Sequence, residues 1–191
     1  MSKVKAFMKQ KGVTLALRRY GIDALGAMAL GLFCTLLVGT ILNTLGQQFH
    51  IAFLNEPIAT ISAGGNTISY TTGGLASALC GPGIAVAIGA ALSCPPLVLF
   101  SLIPVGFAAN AIAGAGGPLA VYLVTIFAAE IGKLISKETR VDILVTPCVT
   151  ILAGCALAAL VAAPIGRAAQ SVGGCVPPTY RFTLFSDKND T

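Results

Sequence analysis

Long apolar stretches separated by short polar ones run through most of the chain, in place of the brief alternating pattern of a soluble domain. Five of them approach or exceed the roughly 20 residues that a helix needs to cross a bilayer: 24–45, 73–92, 95–114, 118–135 and 142–164. The intervening segment 51–70 is interrupted by proline and glycine and is too polar to cross as a regular helix. The pattern predicts an all-α fold, a polytopic transmembrane helical bundle with broken or re-entrant helices.

The second and third stretches contain signs of broken and closely packed helix. Pro82 predicts a kink in the second stretch. Whether residues 95–114 cross or re-enter stays open, because an all-apolar run has no polar face to phase it. Small residues recur at every fourth position of the second stretch: Gly81, Ala85, Gly89 and Ser93. Such a row lies on one helical face and allows the backbone of another helix to approach closely.

Composition confirms the membrane class. Hydrophobic residues make up 55% of the chain and charged residues 10%, with a mean hydropathy of +0.86, whereas soluble domains carry about a quarter charged residues. The net charge of +5 comes largely from the first 19 residues. We interpret residues 1–19 as a basic segment facing lipid headgroups rather than nucleic acid, residues 20–172 as the transmembrane domain and residues 173–191 as a polar tail.

Charge placement predicts the orientation. The first apolar stretch is longer than the core of a signal peptide, so we interpret it as a retained first span. Under the positive-inside rule, Lys133, Lys137 and Arg140 share the side of the basic N-terminus, which requires an even number of crossings between them. We therefore expect a multi-pass protein of the cytoplasmic membrane with its N-terminus in the cytoplasm.

Glu56, in the stretch "FLNEPIAT", is the leading candidate for a functional residue. Between residues 24 and 129 it is the only Asp, Glu, Lys or Arg. A carboxylate beside membrane segments is costly unless it meets a partner, a proton or a polar ligand. Sugar hydroxyls suit it, since a carboxylate accepts several charge-assisted hydrogen bonds. The alternative is that Glu56 is a solvated loop residue with no specific role. The sequence favours neither of these two interpretations.

Other polar residues extend the candidate set. His50, the single histidine, could contact a substrate or could be an interfacial side chain. Asn55 adjoins Glu56 and could equally be a turn residue. Asn110 lies within the third stretch, where its amide could contact substrate or bridge to another helix. Five more polar residues could line a cavity or form a loop: Asn66, Thr67, Ser69, Thr71 and Thr72.

The remaining reactive residues predict no chemistry of their own. Glu130 and Lys133 are spaced three residues apart near the end of the fourth stretch, as ordinary interface charges are. The six cysteines form no CxxC pair, and five fall inside apolar segments, which favours buried thiols acting as small hydrophobes. We expect no catalytic residue, no metal site and no cofactor.

Three stretches resemble a known family. They are "YGIDALGAMALGLFCTLLVGTIL" at residues 20–42, "PPLVLFS" at 95–101 and "AAEIGKLISKETRVDILVTPCVTI" at 128–151. They resemble the IIC-like membrane domains of the bacterial sugar phosphotransferase system, the branch that includes perfringolysin O regulators. The resemblance covers residues 20 to about 174 and looks like the N-terminal half of the family domain.

The resemblance implies a domain that carries a sugar across the membrane while a separate cytoplasmic subunit of the IIB type phosphorylates it. In related sugar carriers an "(N/T)EP" element presents a glutamate to the sugar, and Asn55, Glu56 and Pro57 look like that element. In those families the element comes late in the chain, whereas here it follows the first span. We expect membrane lipid, a small sugar, the IIB-type subunit and further copies of the chain as partners, and no nucleic acid.

Three functions remain as hypotheses at this point. The first is a IIC-like permease subunit, or half of one, with Glu56, Asn55, His50 and Asn110 contacting the sugar. The second is a non-transporting membrane regulator that senses a small molecule with the same fold. A small oligomeric channel is the weakest, because the sequence suggests no ring of pore-lining charge.

Overall fold

The computed structural model describes residues 18–63, 66–136 and 142–174, and in these ranges the chain is mostly helical. Four helices are long and apolar enough to cross a membrane, and a bent helix pair would make a fifth crossing. The predicted helical membrane fold with a broken helix is therefore confirmed. The interpretations of residues 1–17, 137–141 and 175–191 concern parts of the chain outside the described residues.

The first membrane helix, α1 (Arg19–Phe49), contains two π-helical turns, Arg19–Asp23 and Phe33–Leu37. It ends at His50, which adopts a left-handed conformation with φ of 48°. The short helix α2 (Ala52–Asn55) follows.

Two short strands connect α2 to the second membrane segment, and the sequence pattern did not indicate them. Strand β1 (Ala59–Ala63) pairs in antiparallel fashion with β2 (Asn66–Tyr70), with Ile61 opposite Ile68. The interrupted segment 51–70 is thus more ordered than the irregular connection that its glycines and proline suggest. Alternation of isoleucine with serine and threonine is the strand signal that could have revealed it.

The second membrane segment is a broken helix. Helix α3 (Thr72–Ala78) and helix α4 (Cys80–Ala91) meet at Leu79 with a bend of 54°. The predicted kink is present, but it lies at Leu79, three residues before Pro82. Pro82 lies in the first turn of α4. A proline there removes no hydrogen bond from α4, because the N–H groups of the first turn have no partner within the helix.

Three further helices complete the bundle: α5 (Pro96–Ala113), α6 (Gly117–Ile135) and α7 (Asp142–Gly174). Helix α5 packs against α4, α6 and α7, and its 18 residues are long and apolar enough to cross a membrane. A 3-10 turn, Gly114–Gly116, joins α5 to α6, and Gly114 has a φ of 55°, a conformation that glycine adopts without strain.

Gly81, Ala85 and Gly89 of the predicted small-residue row lie in α4 and face α5, whereas Ser93 lies in the turn after α4 and is not part of the helical face. A Cβ added to Gly81 would collide with the Gly106 carbonyl, and one added to Gly106 would lie 2.5 Å from the Ala85 Cβ. Ile84, Ile88 and other fully buried residues form the core around this contact. Helix backbones in contact gain dispersion energy that is lost when a side chain separates them.

The helices alternate in direction, which defines two ends of the bundle. We call the end with Arg19, Leu92 and Lys133 the basic end, and the end with His50, Glu56 and Gly114 the hairpin end. Arg19 and Lys133 both donate hydrogen bonds to the Leu92 carbonyl, so the first and fourth segments place them together. The predicted even number of crossings between these two residues agrees with this arrangement.

Candidate functional site

The segment that carries the predicted site residues is held to the end of α1 by one carbonyl group. The Gly46 carbonyl accepts hydrogen bonds from the backbone N–H groups of His50 and Ile51, the latter at 3.2 Å, and from Asn55 Nδ2 at 2.7 Å. Gly46 is buried, and a Cβ there would lie 2.8 Å from Asn55 Oδ1. The amide of Asn55 therefore satisfies a carbonyl at a helix terminus, the ordinary need of such groups.

Glu56 follows this anchored turn directly, and its side chain is exposed. Its backbone N–H donates to the Ala52 carbonyl at 2.8 Å, and its extended conformation leads into Pro57 and β1. The side chain of His50, at the other end of the turn, is exposed as well. His50, Asn55 and Glu56 are thus brought together at the hairpin end, with Asn55 engaged and the other two available to a ligand.

Asn110 lies elsewhere, on α5 near the hairpin end. Its Cβ packs against Gly81 of α4, and its Oδ1 lies where a Cβ on Gly117 would have to go. Asn110 therefore lies half-buried where α4, α5 and the start of α6 meet.

A polar seam between α1 and the broken helix is a feature that the sequence indicates only weakly. The Thr71 hydroxyl accepts from the Gly74 N–H at 3.1 Å, capping α3, and donates to Asn43 Oδ1 at 3.3 Å. Within the part of the chain described, the buried Thr72 Oγ1 has no hydrogen-bond partner. Ser77 donates to the Gly73 carbonyl at 3.0 Å.

This seam exists because glycines bring the helices together. A Cβ on Gly73 would lie 2.7 Å from the Asn43 backbone nitrogen, and one on Gly39 would lie 2.5 Å from Ser77 Oγ. Asn43 is the residue that sequence reasoning missed. An amide inside a predicted span, like that of Asn110, is the signal that could have found it.

The basic end contains a buried ion pair, which corrects the interpretation of Glu130 and Lys133 as ordinary interface charges. Lys133 is only 3% exposed, and its Nζ lies 2.7 Å from Glu130 Oε1 and 3.3 Å from the Leu92 carbonyl. Arg19 donates to the same carbonyl. Sequence spacing places Lys133 beside Glu130 but does not reveal that α4 and α1 cover the pair.

Leu92 ends α4, and two cations at its carbonyl stabilise that end. The last carbonyls of a helix lack intrahelical partners, and lysine or arginine there also interacts favourably with the helix dipole. The chain then turns at Ser93, with φ of 53°, and the Cys94 N–H donates to the Gly89 carbonyl at 3.0 Å. The broken segment is thus fixed at its basic end.

The thiol of Cys94 lies beside this cluster, in the turn between α4 and α5. Burial raises its pKa from 9.0 to about 11, with Glu130 adding to the effect and Lys133 and Arg19 opposing it. The thiol therefore stays protonated at neutral pH, which makes it a poor nucleophile. Of the other described cysteines, Cys80 is buried as predicted, whereas Cys34 and Cys148 are exposed on the helix surface.

In residues 18–63, 66–136 and 142–174, no group of three His, Cys, Asp or Glu side chains is placed to hold a metal ion. The arrangement offers an exposed carboxylate and imidazole at one end, a polar seam at the helix break, and a neutralised ion pair at the other end. Such groups can bind and orient a polar solute.

Comparison with known families shows to which family the chain belongs. The family model described as "Phosphotransferase system, EIIC" matches residues 22–181. The chain belongs to the phosphotransferase system EIIC family. No curated protein and no solved structure matches the chain.

EIIC membership is in keeping with the fold, since the chain is a multi-pass membrane domain. It is also consistent with a transport component that is not itself the catalytic subunit of the system. The resemblance that residues 20–42, 95–101 and 128–151 suggest is confirmed at the level of the family.

Proposed function

We propose that this EIIC-family chain is a membrane permease component that translocates a carbohydrate across the cytoplasmic membrane. The family match over residues 22–181 is the observation that carries the proposal. The broken helix supports it, because non-helical backbone at membrane depth is tolerated where protein covers it or where it lines a wet cavity. Transporters use such breaks beside their binding sites.

Glu56 is the residue that we assign to sugar contact. Its carboxylate is exposed and follows a turn that Asn55 anchors to Gly46, so it can accept hydrogen bonds from sugar hydroxyls without losing a structural contact. His50 stands at the start of the same turn and can contribute a further donor or acceptor. Asn55 serves mainly to position them.

Asn110 takes a different part in the proposal. It lies half-buried where α4 and α5 meet the start of α6, so a sugar would reach it only after entering the bundle. We assign the hairpin end to first contact with the sugar, and the region of Asn110 to a later step.

The basic end is the side that we assign to the cytoplasm and to a IIB-type phosphorylating subunit. Arg19 and Lys133 lie at this end, and the positive-inside rule places such a cluster in the cytoplasm. The chain itself would perform no bond chemistry. Further copies of the chain are a proposed partner as well.

A non-transporting regulator is the second candidate, and the exposure of Glu56 favours it. A carboxylate outside the bundle can bind a sugar without enclosing it, as a sensor requires, whereas a carrier must close around its solute. Sensing would then reach the basic end through α1, which runs from His50 back to Arg19.

Both functions are tested by binding and flux measured on the same preparation. The purified chain is titrated with a panel of sugars by calorimetry and reconstituted into liposomes for uptake of each sugar that binds. Glu56→Gln is compared with Asp23→Asn, which makes the same chemical change at an exposed carboxylate of α1 near the basic end. The permease proposal expects saturable binding and flux, both lost in Glu56→Gln and retained in Asp23→Asn.

The other outcomes are distinct. Binding and flux that survive Glu56→Gln would leave the permease in place and remove Glu56 from the site. Binding without flux would identify the regulator. If none of the sugars bound, the proposal that this chain carries a sugar site would be wrong.

A further inference from the structure

The two-stranded hairpin at the hairpin end is amphipathic. Ile61 and Ile68 lie opposite each other in the register, so they share one face of the hairpin. The flanking pairs, which point to the opposite face, are Thr60 with Ser69 and Ser62 with Thr67. One face therefore centres on the two isoleucines, with the pairs Ala59–Tyr70 and Ala63–Asn66 in register on the same side, and the other face carries four hydroxyl groups.

Neither face is covered by the rest of the described chain. Ile61 is 54% exposed and Ile68 is 53% exposed, and the hydroxyl side chains are exposed too. A lone two-stranded hairpin is marginally stable in water and needs a packing partner for its apolar face. Something outside the described residues therefore has to meet the isoleucines.

The length of α1 sets the depth of the hairpin in the bilayer. Its 31 residues rise about 46 Å, close to the roughly 40–45 Å of a bilayer with its headgroups. If Arg19 lies at one headgroup layer, Phe49 lies at the other. The hairpin begins ten residues after Phe49, at Ala59, and so starts near that second headgroup layer.

An exposed apolar row on α1 leads to the hairpin along the chain. Ile41, Leu45 and Phe49 are exposed and spaced four residues apart, so they form one apolar row on the helix. Phe53, 71% exposed, continues the apolar surface past the end of α1. Glu56 is the only charged residue between positions 24 and 129, so this surface suits uncharged lipid rather than an acidic or basic partner.

We propose that the hairpin is an interfacial anchor that binds the lipid surface at the hairpin end, with Ile61 and Ile68 inserted at the boundary between headgroups and acyl chains. Open strand edges cannot lie in hydrocarbon, because their backbone groups would have no hydrogen-bond partners. Full exposure to water would leave both isoleucines hydrated. At the boundary the strand edges can form hydrogen bonds with water and headgroups while the isoleucines contact acyl chains. The hydroxyl face is then turned towards headgroups and water. This inference does not depend on transport.

Tryptophan fluorescence tests the proposal directly, because the chain contains no tryptophan. Single variants place the probe on the apolar face, Ile61→Trp and Ile68→Trp, or on the hydroxyl face, Thr60→Trp and Ser69→Trp. Each is reconstituted into phosphatidylcholine vesicles with or without brominated acyl chains, and acrylamide probes access from water. Two positions on each face keep the test valid if one variant fails to fold.

We expect the probes at 61 and 68 to emit at shorter wavelength and to be quenched by brominated lipid at least about twice as strongly as those at 60 and 69. Equal quenching of all four by acrylamide, without lipid quenching, would place the hairpin in water and overturn the proposal. Shielding of positions 61 and 68 from both quenchers would also overturn it, because a protein surface would then cover the hairpin.

Discussion

The two ends of the bundle differ in the environment of their carboxylates. At the hairpin end, Glu56 is exposed and follows a turn whose hydrogen bonds are made by its neighbours. At the basic end, Glu130 is paired at 2.7 Å with a lysine that is 3% exposed, beneath the start of α1 and the end of α4. The carboxylate that is isolated in sequence is therefore the exposed one, whereas Glu130 has its partner one helical turn away.

The difference follows from what each end has to accomplish. The basic end joins three helices around the Leu92 carbonyl, and cations there neutralise an acid and complete a helix terminus at once. The hairpin end joins α1 to the broken helix through a turn and two strands, which pair with each other. Its side chains remain available for ligand or lipid.

The largest effect should come from the same change made at both ends. Glu130→Gln leaves Lys133 buried without its counter-charge, and we expect a loss of about 3–5 kcal/mol in unfolding free energy. Glu56→Gln should change that free energy by no more than about 0.5 kcal/mol. Unfolding in mixed micelles titrated with a denaturing detergent measures both.

A double variant separates the ion pair from other causes. Glu130→Gln combined with Lys133→Met removes the unpaired charge and should recover part of the lost stability. Equal losses for Glu56→Gln and Glu130→Gln would mean that the two ends do not differ as described.

A smaller effect is expected from the anchor of the hairpin end. Asn55→Ala removes the hydrogen bond to the Gly46 carbonyl, and we expect a loss of about 0.5–1.5 kcal/mol in the same unfolding assay. Gln48→Ala, a change to an exposed amide side chain on the last turn of α1, serves as the control and should have little effect. A loss of unfolding free energy as large as that of Glu130→Gln would contradict our expectation that Asn55 contributes one ordinary hydrogen bond to this turn.

The smallest effect concerns the thiol at the basic end. With every other cysteine replaced by alanine, Cys94 should alkylate slowly at neutral pH, and its rate should keep rising towards pH 11, because burial raises its pKa to about 11. In denaturant, the alkylation rate of the same chain should level off nearer pH 9.0, the ordinary pKa of the cysteine thiol.

The sign of the accompanying stability change follows from linkage. Folding favours the protonated thiol, so the contribution of Cys94 to stability is complete below pH 9 and is lost as the pH rises towards 11. A folded-state alkylation rate that levels off at pH 9 would show that the basic end is open to water.

Much of the fold could be predicted from the pattern alone. Apolar length and sparse charge predict the spans, and the row of Gly81, Ala85 and Gly89 predicts a close helix seam, which α5 occupies. Pro82 predicts a break in this segment, and the break lies three residues earlier, because a proline ring fits the first turn of a helix but disturbs the turn before it. The two strands are not predicted, because glycines and a proline interrupt the short run of alternating apolar and polar residues that would indicate them.

The candidate site was predicted less completely. Residues near in sequence, His50, Asn55 and Glu56, are near in space because one turn holds them. Asn43 and Thr71 meet through a contact between distant parts of the chain, and nothing in either local sequence specifies that contact.

The sequence by itself determined a membrane protein of the EIIC family, the approximate spans and the isolation of Glu56 along the chain, because apolar length, charge and family motifs are local properties. The tertiary structure alone decided which charge is buried. Burial depends on which helices cover a side chain, and the cover of Lys133 comes from Arg19 and Leu92, far away in sequence.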